Sequence, residues 1–177
     1  MFLTLIHQHI KMKRYYIIAL VGFLAYINPL VLKAQTKSAV VKISGEVTTP
    51  LTIGEADLQK FEQTKLVRKD KDGSDHTYSG VVLASLLQKA GAALGKDLRG
   101  KNLAKYVLID AADGYQVVFA LAELDKDFTD RTIILADQMD GKPLPAADGP
   151  FRIIVQDEKK PARCIKQVTG IQVMAAK

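Results

Sequence analysis

The chain has 177 residues, 48% of them hydrophobic, which is enough for one domain with its own core. Its net charge is +6, but four of the 25 lysines and arginines (Lys11, Lys13, Arg14 and Lys33) lie in residues 1–35, which carry no acid. The remaining 21 basic residues face 19 acidic ones, and a near-neutral domain excludes nucleic-acid or membrane-surface binding driven by bulk charge.

The start reads as an export signal. "KMKR" (11–14) supplies the positive region, residues 15–32 the apolar stretch, and Ala34 in "LKAQT" a small residue for cleavage. Met12 can serve as the start, because nothing before it is needed by a signal. The alternative is one membrane anchor, since the apolar run approaches the ~20 residues that span a bilayer. Pro29 and the small-residue exit favour cleavage. Residues 1–35 are thus expected to be a signal peptide and 36–177 a single periplasmic or secreted domain with no lasting membrane insertion. Cys164 is the only cysteine, so no intrachain disulfide and no Cys/His metal cluster can form.

Beyond residue 39, "VVKISG" (40–45) alternates as a strand does. Thr52 or Gly54 can start a short helix that turns Leu58 and Phe61 to the core. Residues 64–80 read as two strands joined at Asp72-Gly73, a strong turn signal. A helix follows Ser79-Gly80, capped by Ser79, with Val82, Leu83, Leu86, Leu87 and Ala90 at helical spacing and Gly91 as its stop. Residues 91–102 read as a mobile loop. "YVLID" and "YQVVFA" form a hairpin across "ADG", a short helix follows at "LAEL", and "RTIILADQ" (131–138) is a buried strand. Residues 139–150 form a loop rich in Gly and Pro, and "FRIIVQD" and "CIKQVTGIQVM" read as closing strands that pair. Many strands with a few short helices, out of strict alternation, give an α+β class.

The residues with chemical potential are few. His76 and Ser79 point to opposite faces of an extended segment, no G-x-S-x-G elbow is present, and His76 reads as an exposed strand residue rather than a base. Most aspartates fall in turns, and "DKDGSD" lacks the terminal Glu and the flanking helices of a calcium loop. Cys164 reads as a buried, inert thiol. Arg152, Arg163 and Lys166 stand out as a basic trio suited to a phosphate or carboxylate; Arg163 and Lys166 lie on opposite faces of a strand unless a bulge intervenes.

Four stretches fall in a recognisable order: "YSGVVLASLLQKAG", "YVLIDAADGYQVVFALAEL", "IILADQMDGKPLPAADGPFRIIV" and "ARCIKQVTGIQV". Together they resemble the molybdopterin-binding domain of the sulfite oxidase family, with its Y-x-G-V-x-L helix start, N-G-x-P-L-P loop, G-x-P-x-R-V-V-V stretch and closing R-S-V-K-W strand. The resemblance covers nearly all of residues 40–174. It implies that fold, a molybdopterin cofactor, and cofactor contacts at Arg152, Arg163 and Lys166, which match basic positions of the family. It also exposes departures. The family's metal-ligating cysteine belongs on the segment before Y-x-G-V, and residues 64–80 contain none. Cys164 replaces the Ser of R-S-V-K, Asp148 stands where a His is usual, and Gln156-Asp157 replaces Pro-Gly. The expectation is a domain without molybdenum redox chemistry of its own; the alternative is a non-catalytic module for a small anionic ligand or a partner protein.

Overall fold

The computed structural model describes residues 39–176. The signal and cleavage expectations fall outside them. Among the described residues, ten strands form two five-stranded sheets. The first runs β2-β1-β10-β5-β6 and is built from β1 (Val40–Gly45), β2 (Leu51–Gly54), β5 (Lys105–Ala111), β6 (Gln116–Ala120) and β10 (Val168–Ala175). Only its β1–β10 pairing is parallel. The second runs β3 (Thr64–Lys69), β4 (Asp75–Val82) and β7 (Ile133–Met139), with β9 (Arg152–Val155) and the two-residue β8 (Lys142–Pro143) sharing the far side of β7. Two short helices, α1 (Glu55–Leu58) and α2 (Leu83–Lys89), complete an α+β architecture, as expected.

The main core lies where Ile43, Val107, Ile109, Phe119 and Ile171 of the first sheet meet Leu135, Ile153 and Val155 of the second, with α2 packed in. Leu83, Leu86 and Leu87 of α2 are fully buried, and each such side chain contributes roughly 1.5–3 kcal/mol of transfer free energy. Gly91 ends α2 at φ +79°: its N–H donates to the Gln88 carbonyl and the Ala92 N–H to that of Leu87. This two-bond stop needs a left-handed residue, as the sequence implied. In the second sheet β9 and most of β7 are buried on both faces. Tyr78, Ile134, Ala136, Leu144 and Ile154 form a smaller cluster on the face turned from the main core. By strand alternation Arg152 shares that face with Ile154.

Four sequence expectations need correction. Ser79 caps nothing: β4 continues to Val82, because Gly80, Val81 and Val82 pair with Ala136, Leu135 and Ile134, and α2 starts only at Leu83 without a side-chain cap. Residues 91–102 are not a plain loop. They carry two 3-10 turns, Gly95–Asp97 and the start of Gly100–Ala104, around the buried Leu98. The closing strands do not pair with each other: β9 lies on β7, and β10 between β1 and β5. Finally, Arg163 and Cys164 are not in a strand. Pro161–Arg163 is a 3-10 turn, where Pro161 has no N–H for a ladder, and Gln167 sits at φ +49° before β10 begins. Two bonds still bring this segment beside β9, Ile153 N–H to the Ile165 carbonyl (2.8 Å) and Val168 N–H to that of Phe151 (2.9 Å).

Candidate functional site

A cleft of about 740 Å³ opens where the β3–β4 hairpin, the β5–β6 turn and the segment before β10 converge. Asp70, Asp72 and His76 line one side, Tyr115 and Met139 contribute apolar surface, and Asp148, Arg152, Cys164 and Lys166 line the other. Local chemistry places each group. Gly73 at φ +84° lets the hairpin reverse, so Asp70, Asp72 and His76 all reach its cleft side. In the β5–β6 turn the Asp113 carboxylate accepts the Tyr115 N–H (2.9 Å), and the Tyr115 hydroxyl donates to the Ala162 carbonyl (3.1 Å).

Arg152 is the centre of the polar network. Its side chain is only 4% exposed. Nη1 donates to the Tyr78 hydroxyl (2.7 Å) and the Asp148 carboxylate (2.8 Å), and it reaches Asp70 at 3.4 Å. The guanidinium carbon stands 5.1 Å from the Tyr78 ring centre, while Nε is buried with no partner. Tyr78 donates to Asp70 in turn (2.6 Å). Burial pushes the Tyr78 phenol up, and Asp70 reinforces it, so the hydroxyl stays protonated as a donor. For Asp70, burial alone would raise the carboxyl. The Tyr78 hydrogen bond and the charges of Arg152 and Arg68 outweigh that and hold it below the usual range. Lys166 completes the group by pairing with the other oxygen of Asp148 (2.5 Å).

The basic trio is therefore split. Arg152 and Lys166 meet at Asp148 on the cleft wall. Arg163 does not line the cleft. It donates to Glu158 (2.6 Å) and Glu123 (3.0 Å) and lies 4.9 Å from the Phe119 ring centre. Burial works against its charge, yet the two glutamates prevail and raise its pKa further. Sequence reasoning did not consider Asp70, and it gave the Tyr78 hydroxyl only a plain structural reading. A tyrosine at a buried position of an alternating strand was the available signal, because its hydroxyl must find a partner there.

His76 is more enclosed than expected, its side chain being 20% exposed. Nδ1 lies 2.6 Å from Asp140 and Nε2 3.1 Å from Asp72. The hydrogen bond to Asp140, then that to Asp72, pushes the imidazole pKa up to about 9. With both nitrogens engaged as donors, it has no lone pair to accept a proton, in keeping with its exclusion as a base. Because the folded value lies above the unfolded 6.5, this clamp is fully present below pH 6.5 and is lost as pH rises through about 9. Urea midpoints should consequently fall between pH 6.5 and 9.5 more steeply in wild type than in His76→Asn. Parallel pH profiles for the two proteins would mean the clamp adds nothing to stability.

The donor set does not fit a molybdenum centre of the family type, which needs a protein thiolate on the hairpin side. The hairpin presents Asp70, Lys71, Asp72 and His76 to the cleft; Asp72 is bonded to His76, and Asp70 to Tyr78 and two arginines. Cys164, 3% exposed, sits on the opposite wall, and no group of three or more His, Cys, Asp or Glu able to hold a metal ion occurs among the described residues.

Comparison with known proteins places the fold. No curated protein matches the chain. Twenty-three chains of solved structures match. One belongs to the sulfane dehydrogenase SoxCD of Paracoccus pantotrophus, at 19% identity and a TM-score of 0.59, over 76% of this chain and 38% of that one. The present chain thus spans well under half of that protein chain. The family model described as oxidoreductase molybdopterin binding domain matches residues 29–177. The chain belongs to that family, the molybdopterin-binding domain of the sulfite oxidases, as its ordered motifs implied.

Proposed function

We propose that this protein is an exported member of the family that does no molybdenum redox chemistry of its own and uses the cleft to bind a small anionic ligand. One observation carries the reading. The hairpin that would supply the metal's cysteine offers Asp70, Asp72 and His76 instead, each already bonded to a neighbour. Carboxylates are hard oxygen ligands and an imidazolium has no free lone pair, so neither reproduces a soft thiolate. The cleft is of the size that takes a small molecule, and its apolar wall of Tyr115, Met139 and Ile165 beside a few fixed polar groups is typical of a ligand site.

Metal and pterin analysis of protein purified from its native host tests this reading. The expected result is no stoichiometric molybdenum, and a first residue near Gln35 or Thr36 in the same preparation. Molybdenum at one atom per chain would sink the non-redox reading. Recovery of residues 15–32 in an integral membrane form would sink the export reading.

A further inference from the structure

Asp148 lies between Arg152 and Lys166 as a bridging anion would. One carboxylate oxygen is 2.8 Å from Arg152 Nη1 and the other is 2.5 Å from Lys166 Nζ. The residue is held there by its own turn. Its N–H donates to the Pro145 carbonyl (2.8 Å) and its C=O accepts from Gln167 N–H (2.9 Å), while the Gln167 side chain donates to the Ala146 carbonyl (3.1 Å). The carboxylate is only 13% exposed, yet Lys166 is 52% exposed, so the pair faces the cleft mouth from inside. Arg152 keeps a buried Nε with no acceptor at all. A buried guanidinium with an unused donor is rare, because each such group carries a desolvation cost.

From this geometry we infer that Arg152 and Lys166 form an oxyanion subsite that the protein's own Asp148 fills, so that Asp148 sets how strongly the cleft takes a phosphate- or sulfate-type group. An incoming oxyanion must displace the carboxylate or share its two cations, and a fixed like charge within contact distance opposes it. Removing that charge releases Lys166 and leaves Arg152 with only the longer contact to Asp70 (3.4 Å) as a compensating charge, so both cations can turn donors to a tetrahedral anion. The inference rests on the cleft being a ligand site, but it concerns only which residue governs the anion position.

The experiment is titration with inorganic phosphate and inorganic sulfate at constant ionic strength, the balance held with chloride, by calorimetry and by thermal shift. Asp148→Ala should bind at least tenfold tighter than wild type. Asp148→Asn, which keeps the turn's shape and removes only the charge, should fall between them and serves in its place if Asp148→Ala unfolds. Adding Lys166→Ala to either variant should return binding to the wild-type level. Equal weak binding by wild type and both Asp148 variants, with cooperative melting retained, overturns the inference, and so does tight binding by wild type already. Neither result depends on the metal content of the native protein, which tests the functional reading separately.

Discussion

Gly80→Ala should cost about 3 kcal/mol or more, a large part of the 5–15 kcal/mol typical of a domain. A Cβ there would stand 2.2 Å from the Leu135 carbonyl oxygen and 2.5 Å from the Ala136 Cα. Both are backbone atoms of β7, so no side-chain rotation relieves the clash. The strand register between β4 and β7 shifts between Ser79 and Gly80, and the backbones crowd at that point. Separating them would also disturb the buried run of β7 and the start of α2. Gly73→Ala is the matched control: it has φ +84° but nothing within 4 Å, so it should lose only about 1 kcal/mol of backbone preference. Urea denaturation of the two variants reads the difference. Comparable midpoints for both would show that β4 and β7 can part freely at Gly80.

Arg152→Met should be at least as damaging, at about 3–5 kcal/mol. Methionine fills much of the volume and stays apolar against Tyr78. The cost is electrostatic: Asp148 loses one of its two partners, Asp70 loses part of its compensating charge, and the Tyr78 hydroxyl loses its donor. Their origin suggests its own check. Adding Asp148→Asn to Arg152→Met removes one stranded charge and should restore at least about 1 kcal/mol, a non-additivity of the kind found within one network. Simple additivity of the two substitutions would show that the loss comes from packing instead.

Local patterns were legible wherever one stretch carried its own reason. The three buried leucines of α2, the Asp72-Gly73 turn and the β5–β6 hairpin all follow from spacing or turn chemistry within a dozen residues. The extension of β4 past Ser79 was not legible, because it depends on a close approach to Leu135 and Ala136 that only the missing Cβ of Gly80 permits. Nor was the end of the strand reading at residues 163–167, where a positive φ at Gln167 and bonds to β9 and the β5–β6 turn override alternation. The site was half legible. Residue type singled out Arg152, Arg163 and Lys166, but their partners come from far along the chain, Asp70 lying 82 residues from Arg152 and Glu123 lying 40 from Arg163. Charge type is local, and pairing is a property of the fold.

The place of β10 has a bearing on how the chain reaches its native state. This last strand sits between β1 and β5, so it joins the earliest strand to one formed some 65 residues later in the order of synthesis. Without β10 the pairings left in the first sheet are two separate hairpins, β1–β2 and β5–β6, each with an unpaired edge facing the gap. Loss of its final turns of sequence would remove the middle of the sheet, not its fringe. Completion of the first sheet is thus a long-range closure, and the unpaired edges of the two hairpins are where association between copies would begin.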